Sequence, residues 1–252
     1  GMDEWKARGF QDPGLTHLYT TNREVNDHNA KSLKALNKPI LLIEARQTGA
    51  ASKLPDDRFQ GLPSTLHLCV GCLVLMTSNV CQPVGLCNGA MGTVKDFIFD
   101  STSGASAPSL PKFIWVDFSG GYTGPSYFPN DPARSGWVPV KPMMVEASTY
   151  DTKQDCWITH SRSMFPLRLS YAMTIWKAQG QTIFGKFIVC LSTKEKEHGL
   201  TYTAFSRAAV LTNIGIVGGL TRERLCQKIL SHAKMEPRKA EDQRLKLLGS
   251  NT

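Results

Sequence analysis

Ile40–Ala45, apolar but for Glu44, and Phe187–Leu191 are apolar runs that lie toward the two ends of a chain whose middle has little of that texture, and Val210–Val217 reads as a further buried strand. An unbroken run of this kind is the pattern of a strand covered on both faces, as in a parallel sheet flanked by helices. His17–Thr20 adds a shorter β-prone run, and Asn22 follows as the N-cap of a helix over Arg23–Leu36, with Val25, Asn29, Leu33 and Leu36 on one face. Strand, helix and strand in succession predict an α/β layer. Thr221 reads as the cap of a further helix through Met235.

The middle is punctuated differently. Leu68, Val70, Leu73 and Leu75 mark a strand pair, Asn88-Gly89 and Met91-Gly92 supply turn chemistry, and Thr93–Phe99 alternates into another strand. Phe113–Phe118 is a strong strand, and the prolines within Trp137–Val145 suit edge strands. Ser101–Pro111 is a small-residue loop, and Ser119–Pro132 is rich in Gly and Pro. Short strands with glycine turns and no helical period predict a small β-barrel over about 68–163, inserted in an α/β domain. Glu236–Thr252 reads as a charged tail or frayed helix.

Charge narrows the partner. The 252 residues, enough for one or two domains with a core, carry 29 Lys plus Arg against 21 Asp plus Glu, a net +8 that favours a polyanion, nucleic acid first. No apolar run reaches the roughly 18 residues of a membrane span, and no signal pattern opens the chain, so no membrane partner is expected. Seven cysteines without framework spacing suit a reducing compartment, and the expected location is intracellular, nuclear or cytoplasmic. Gly1-Met2 reads as a cleavage scar before a start methionine, which leaves open what preceded it.

Five blocks then carry a resemblance. They are Leu18-Tyr19-Thr20-Thr21-Asn22-Arg23-Glu24-Val25 with Asn29; Val70–Met76 with Asn79 and Leu86–Val94; Pro166–Met173; Thr174-Ile175-Trp176-Lys177-Ala178-Gln179-Gly180-Gln181-Thr182; and Gly199–Ala208. In this order, from about Leu18 to Arg207, they resemble superfamily 1 DNA helicases of the PIF-like or RecD-like 5′-to-3′ class, and only the C-terminal part of those motors. The resemblance implies an α/β fold: a RecA-like parallel-sheet lobe built from 14–66 and 166–234. It also implies an inserted Src-homology-3-like small β-barrel over 67–165, followed by a charged tail over 235–252.

The resemblance also implies roles. Arg207 occupies the position of the catalytic arginine finger, a task that suits guanidinium because it is always charged and forks bidentately. Gln179, Gly180 and Gln181 join Arg207 on the nucleotide side, while Thr174, Trp176 and Lys177 face single-stranded DNA. Thr20, Asn22 and Asn29 would contact the DNA backbone, although Thr21 and Asn22 also suit a helix cap. Relatives commonly carry His and Ser where Trp176 and Ala178 stand; Trp176 is either a stacking face for bases or a core tryptophan. Trp115, Tyr122, Tyr127 and Trp137 either line a strand-binding groove or fill the barrel core.

A complete motor also needs a phosphate-binding loop and an acidic pair for magnesium, and the sequence offers neither. Gly180–Lys186 spells GxxxxGK, but Phe187 stands where Ser or Thr would hold magnesium, and a strand follows where a helix should begin. ATP and Mg2+ are therefore implied only together with a P-loop-bearing first RecA-like lobe, in the same natural chain or a partner, and the chain alone is not expected to hydrolyse ATP. No metal site is expected: Cys69, Cys72, Cys81 and Cys87 are irregularly spaced for zinc, and nothing orients Cys156 with His160 as a nucleophile. Two other readings stay open at this point, a non-catalytic single-strand-binding module derived from a helicase and a protein-interaction scaffold.

Overall fold

A parallel sheet gathers its four strands from chain segments more than a hundred residues apart. The computed structural model describes residues 5, 7–100, 110–152, 155–183, 185–192, 199–225, 240, 241, 243 and 244. Its elements begin with strand β1 (Thr16–Tyr19), helix α1 (Asn22–Ala35), β2 (Leu41–Glu44), β3 (Arg46–Gln47), β4 (Thr65–Leu68), β5 (Leu73–Met76), β6 (Met91–Ile98) and β7 (Phe113–Asp117). They continue with β8 (Trp137–Val140), β9 (Met143–Asp151), β10 (Cys156–Met164), β11 (Leu167–Leu169), β12 (Ala172–Thr174), the one-turn helix α2 (Ile175–Ala178), β13 (Phe187–Cys190), α3 (Leu200–Phe205), β14 (Ile214–Val217) and α4 (Arg222–Leu225).

The parallel sheet has the order β12-β1-β13-β14, which makes the fold mixed α/β. Its centre behaves as the apolar run predicts: Phe187, Ile188 and Val189 are all buried, and Leu18, Ile175, Phe187, Val189, Leu200 and Ala204 form one core. The Val210–Val217 run is a strand only from Ile214, with a 3₁₀ turn at Leu211–Asn213 and Leu211 fully outside the core. As the outer strand of the described sheet, β14 is covered less completely than β13.

Ile40–Ala45 departs from expectation. Its strand, β2, pairs antiparallel with β4 instead of joining the parallel sheet, and Ile43 alone is buried while Leu42 is 48% exposed. An apolar run records the propensity for a strand but not which strand it pairs with, and here the partner is local. Likewise β4 and β5 do not pair with each other: β4 meets β2, and β5 lies between β6 and β11.

The antiparallel part holds the five-stranded sheet β11-β5-β6-β7-β8 and the three-stranded sheet β3-β10-β9. Its core includes Val74, Val94, Ile114, Val116, Val138 and Phe165. Because β7 alternates strictly, Ile114 and Val116 point into that core and Trp115 points away. The core reading of Trp115 and Trp137 is thereby corrected. Both are half-buried on the outer side, where Phe128 packs against them at 4.9 and 5.9 Å and pins the Gly- and Pro-rich segment to the sheet.

The start of α1 is shifted by one residue from the sequence reading. Thr21, not Asn22, is the N-cap: its hydroxyl accepts the Glu24 N–H at 3.3 Å and Glu24 accepts the Thr21 N–H at 3.1 Å, a reciprocal capping box. Thr21→Ala is expected to lower stability by about 1 kcal/mol, read as a lower midpoint in urea at unchanged slope. At the other end, Thr221 does cap α4, accepting the Arg224 N–H at 3.3 Å. The continuation of that helix to Met235, most of the Ser101–Pro111 loop and most of the 235–252 tail lie outside the described residues. No helix among the described residues is long and apolar enough to cross a membrane.

Candidate nucleic-acid and phosphate interface

Between the parallel sheet and the antiparallel part runs a cleft of about 1030 Å³. One wall is α1, the end of β12 and α2; the other is the 3₁₀ turn at Asp56–Phe59 with the chain leading into β4. Asn22, Asn29, Thr174, Lys177 and Gln181, drawn from segments far apart in sequence, line it together with Arg168, Asp56 and Asp57. Thr20, Trp176, Gln179, Gly180 and Arg207 are not among its lining residues.

Local structure explains each placement. β12 ends at Thr174, whose buried hydroxyl accepts the Lys177 N–H at 3.3 Å and caps α2, so one helical turn later Lys177 faces the cleft. Among the described residues the Lys177 ammonium has no ion-pair partner. Its pKa lies below the usual lysine value, first through desolvation and then through the Arg168 charge, while Asp57 and Asp56 act in the opposite direction. Asn22 is exposed in the first turn of α1. Asn29 is occupied: its amide nitrogen donates to the Ala172 carbonyl at 3.2 Å and its oxygen accepts the Ala172 N–H at 2.9 Å, docking α1 on the edge strand β12. Thr20 donates to Glu24 at 3.3 Å, beside the cap. Trp176 is 44% exposed, so of its two readings the core one is excluded.

Of the residues expected on the nucleotide side, Gln181 and Arg207 meet next to this cleft. Gly180 has φ +83° with open space where a side chain would stand, so backbone is all that an approaching group meets there. The Arg207 guanidinium donates to the Gln181 carbonyl at 3.2 Å, to the Thr203 carbonyl at 3.0 Å and to the Ser206 hydroxyl at 3.0 Å. The Arg207 carbonyl in turn accepts the Ile183 N–H at 2.7 Å. Gln181 thus touches both regions, because its carboxamide donates to the Lys177 carbonyl at 3.2 Å and packs closely against Gly89. Gln179 is exposed and makes no side-chain contact with Arg207. The GxxxxGK segment is no phosphate cradle: Lys186 leads directly into β13 and its ammonium lies 5.9 Å from the Phe10 ring centre.

The residues that sequence reasoning missed hold the opposite wall. Arg162 is fully buried, and all five of its N–H groups are used: by Gln47, by Asp56 at 2.7 Å, and by the carbonyls of Leu62, Ala51 and Leu54. Its guanidinium also stacks on Phe59 at 4.3 Å. Asp56 bridges onward, its second oxygen accepting from Arg168 at 3.1 Å. A charge inside the alternating Cys156–Met164 strand was the visible signal, but its partner lies 106 positions away.

Two histidines form a further cluster. His17 and His28 lie with ring centres 4.1 Å apart, and the Tyr19 hydroxyl is 3.0 Å from His28 Nδ1. Burial, then the neighbouring His17 and Lys31, lower the His28 pKa from the ordinary 6.5 to about 4. The unfolded chain therefore takes up the proton first, and stability is expected to fall as pH drops from about 6.5 towards 4. Urea unfolding at several pH values should show a flatter dependence in His28→Gln than in the wild type; identical slopes would remove His28 as the cause.

Cys69 and Cys72 are fully buried, and burial pushes the Cys72 thiol up to about 12. Among the described residues no group of three or more His, Cys, Asp or Glu side chains is arranged to hold a metal. His160 has both ring nitrogens engaged, by the Ala50 N–H at 3.2 Å and the Thr149 hydroxyl at 2.8 Å.

A parallel sheet carrying a long antiparallel segment, with a cleft lined by both, is the arrangement to be compared with known proteins, and the fold it matches is that of solved Pif1 helicases. The family model for the 2B domain of DNA helicase Pif1 matches residues 58–97, the stretch from the Asp56–Phe59 turn through most of β6. The chain is 27% identical over 223 residues to the ATP-dependent DNA helicase PIF7 of Trypanosoma brucei brucei, covering 84% of this chain and 21% of that protein. It is 27% identical to the ATP-dependent DNA helicase PIF1 of Danio rerio, covering 80% and 27%. Among solved structures, Pif1 helicase from Candida albicans matches with a TM-score of 0.61 at 24% identity, over 90% of this chain and 49% of the other. Bacteroides Pif1 bound to ssDNA matches with a TM-score of 0.61 at 22% identity, over 97% and 51%, a likeness of fold. The chain is thus similar to Pif1 helicases, and it spans less than half the length of these curated relatives and about half of the solved chains.

Proposed function

We propose that the chain is the C-terminal motor lobe of an ATP-dependent DNA helicase, contributing single-strand contacts and the arginine finger. The observation that carries this is the convergence of Asn22, Thr174 and Lys177 in one cleft while the Gln181 carbonyl and Arg207 meet beside it. In this reading the parallel sheet is a second RecA-like lobe and the antiparallel part its Src-homology-3-like barrel. The pairing of β2 with β4 and of β11 with β5 favours assigning both β2 and β11 to the insertion, which narrows the lobe at each junction.

DNA phosphates would meet Lys177 and the exposed Asn22, with Trp176 offering a stacking face outside the cleft. Thr174 and Asn29 would act by fixing α2 and α1. Thr20 joins the cap of α1. ATP and Mg2+ would be held mainly by a P-loop-bearing first lobe, with Gln179, Gly180, Gln181 and Arg207 closing from this side. ATP supplies the scissile phosphoanhydride; Arg207 would place a permanent positive charge against the γ-phosphate as the two lobes close. Arg207 would have to exchange the Ser206 contact for phosphate, and a charge-assisted bond is the stronger of the two.

A second reading, a single-strand-binding module without catalysis, draws on the exposed Trp176 and on Ala178. Both readings predict that fluorescence anisotropy of a labelled single-stranded oligonucleotide reports salt-sensitive binding between about 50 and 200 mM, preferred over duplex. Lys177→Ala should remove most of it. Absence of binding at the lower salt would sink both. ATP turnover on adding a P-loop lobe, and none without it, would decide for the motor.

A further inference from the structure

Arg168 stands on β11 opposite Leu75 of β5 and reaches into the same cleft as Lys177. Its Nη2 donates to Asp56 at 3.1 Å and to the Gly61 carbonyl at 2.8 Å. Among the described residues its Nε and Nη1 carry no hydrogen bond, so three N–H donors of a half-buried guanidinium remain available. The side chain is also held in place, because Asp56 is fixed from behind by the fully buried Arg162 at 2.7 Å. Lys177, across the cleft, has no ion-pair partner among the described residues. Around this point three cations, Arg162, Arg168 and Lys177, face two carboxylates, Asp56 and Asp57. The excess is positive, and the two cations nearest the opening repel each other.

We propose that Arg168 and Lys177 together clamp one backbone phosphate of single-stranded DNA, one from each wall of the cleft. The clamp rests on the cleft being the strand-binding site, and it assigns that site a contact from the antiparallel insertion as well as from the parallel-sheet lobe. An anion seated between the two side chains relieves their mutual repulsion and takes up the unused guanidinium donors. The Lys177 pKa, depressed in part by Arg168, is consistent with that repulsion.

The test is anisotropy of a labelled single-stranded oligonucleotide across a salt series, with the wild type, Lys177→Ala, Arg168→Gln and Arg168→Lys. Arg168→Gln should weaken binding about tenfold at low salt, the loss of a charged hydrogen bond. It should leave the slope of log K against log salt little changed, because Lys177 still neutralises the same phosphate; a fall of about 0.7 would mean that each side chain holds a phosphate of its own and would overturn the shared clamp. Arg168→Lys should keep the wild-type slope and lose affinity, since charge remains but the array of donors does not. If Lys177→Ala loses binding while Arg168→Gln keeps the wild-type affinity, the clamp is wrong and the proposed function stands. If the wild type fails to bind, both fall. Thermal melts report whether Arg168→Gln folds; should it not, Arg168→Lys decides, and wild-type affinity in that variant overturns the clamp.

Discussion

Arg162→Ala is expected to destabilise the protein by about 3–5 kcal/mol, through the buried acceptors it leaves unpaired and the cavity it opens. The substitution removes five hydrogen bonds at once. It leaves Asp56 to Arg168 alone, strands the Gln47 amide oxygen and three backbone carbonyls, and leaves a cavity over Phe59. For a chain of this size each kcal/mol is worth roughly 2–4 °C, so the melting temperature should drop by about 10 °C. Arg162→Lys should recover little, because an ammonium has three donors in place of five and cannot reach the same set of acceptors. A melt of Arg162→Ala within a degree or two of wild type would show that the 51–62 wall is held by other contacts.

Under the proposed function, Arg207→Ala in a protein supplied with its P-loop lobe is expected to lower ATP turnover by about 10³- to 10⁵-fold, the range measured for arginine fingers. Single-strand binding should be nearly unchanged, because Arg207 does not line the cleft. Arg207→Lys should not restore turnover, since the ammonium lacks the fork. The two readouts separate roles: a joint loss of turnover and DNA binding would make Arg207 a structural tie between the Gln181 loop and α3. Loss of neither would exclude the finger.

How far the sequence carried the fold can be judged from individual elements. Phe187–Leu191 was legible because a strand buried on both faces needs an unbroken apolar run, and β13 is buried in that way. The Phe113–Phe118 run likewise placed a strand, though not its two faces: Trp115 proved to lie outside and Ile114 inside. The Thr174–Gln181 segment was marked out by its resemblance to a helicase motif, and Thr174, Lys177 and Gln181 line the cleft. In the same segment, the engagement of the Thr174 hydroxyl as a cap became visible only from geometry.

By itself the sequence determined the alternation of textures, the positions of most strands, the capped helix after β1 and the identity of the charged and glycine positions in the motif segments. These are local properties, written in period, propensity and short spacing. Only the tertiary structure decided that β2 pairs with β4, that Asn29 clamps β12, that Gln181 joins the cleft to Arg207, and that Arg162, Asp56 and Arg168 form one chain of charge. Each of these depends on which distant groups satisfy a hydrogen bond or a buried charge. That is settled by the packing of the whole chain, because a buried donor accepts whichever partner the fold brings within about 3 Å.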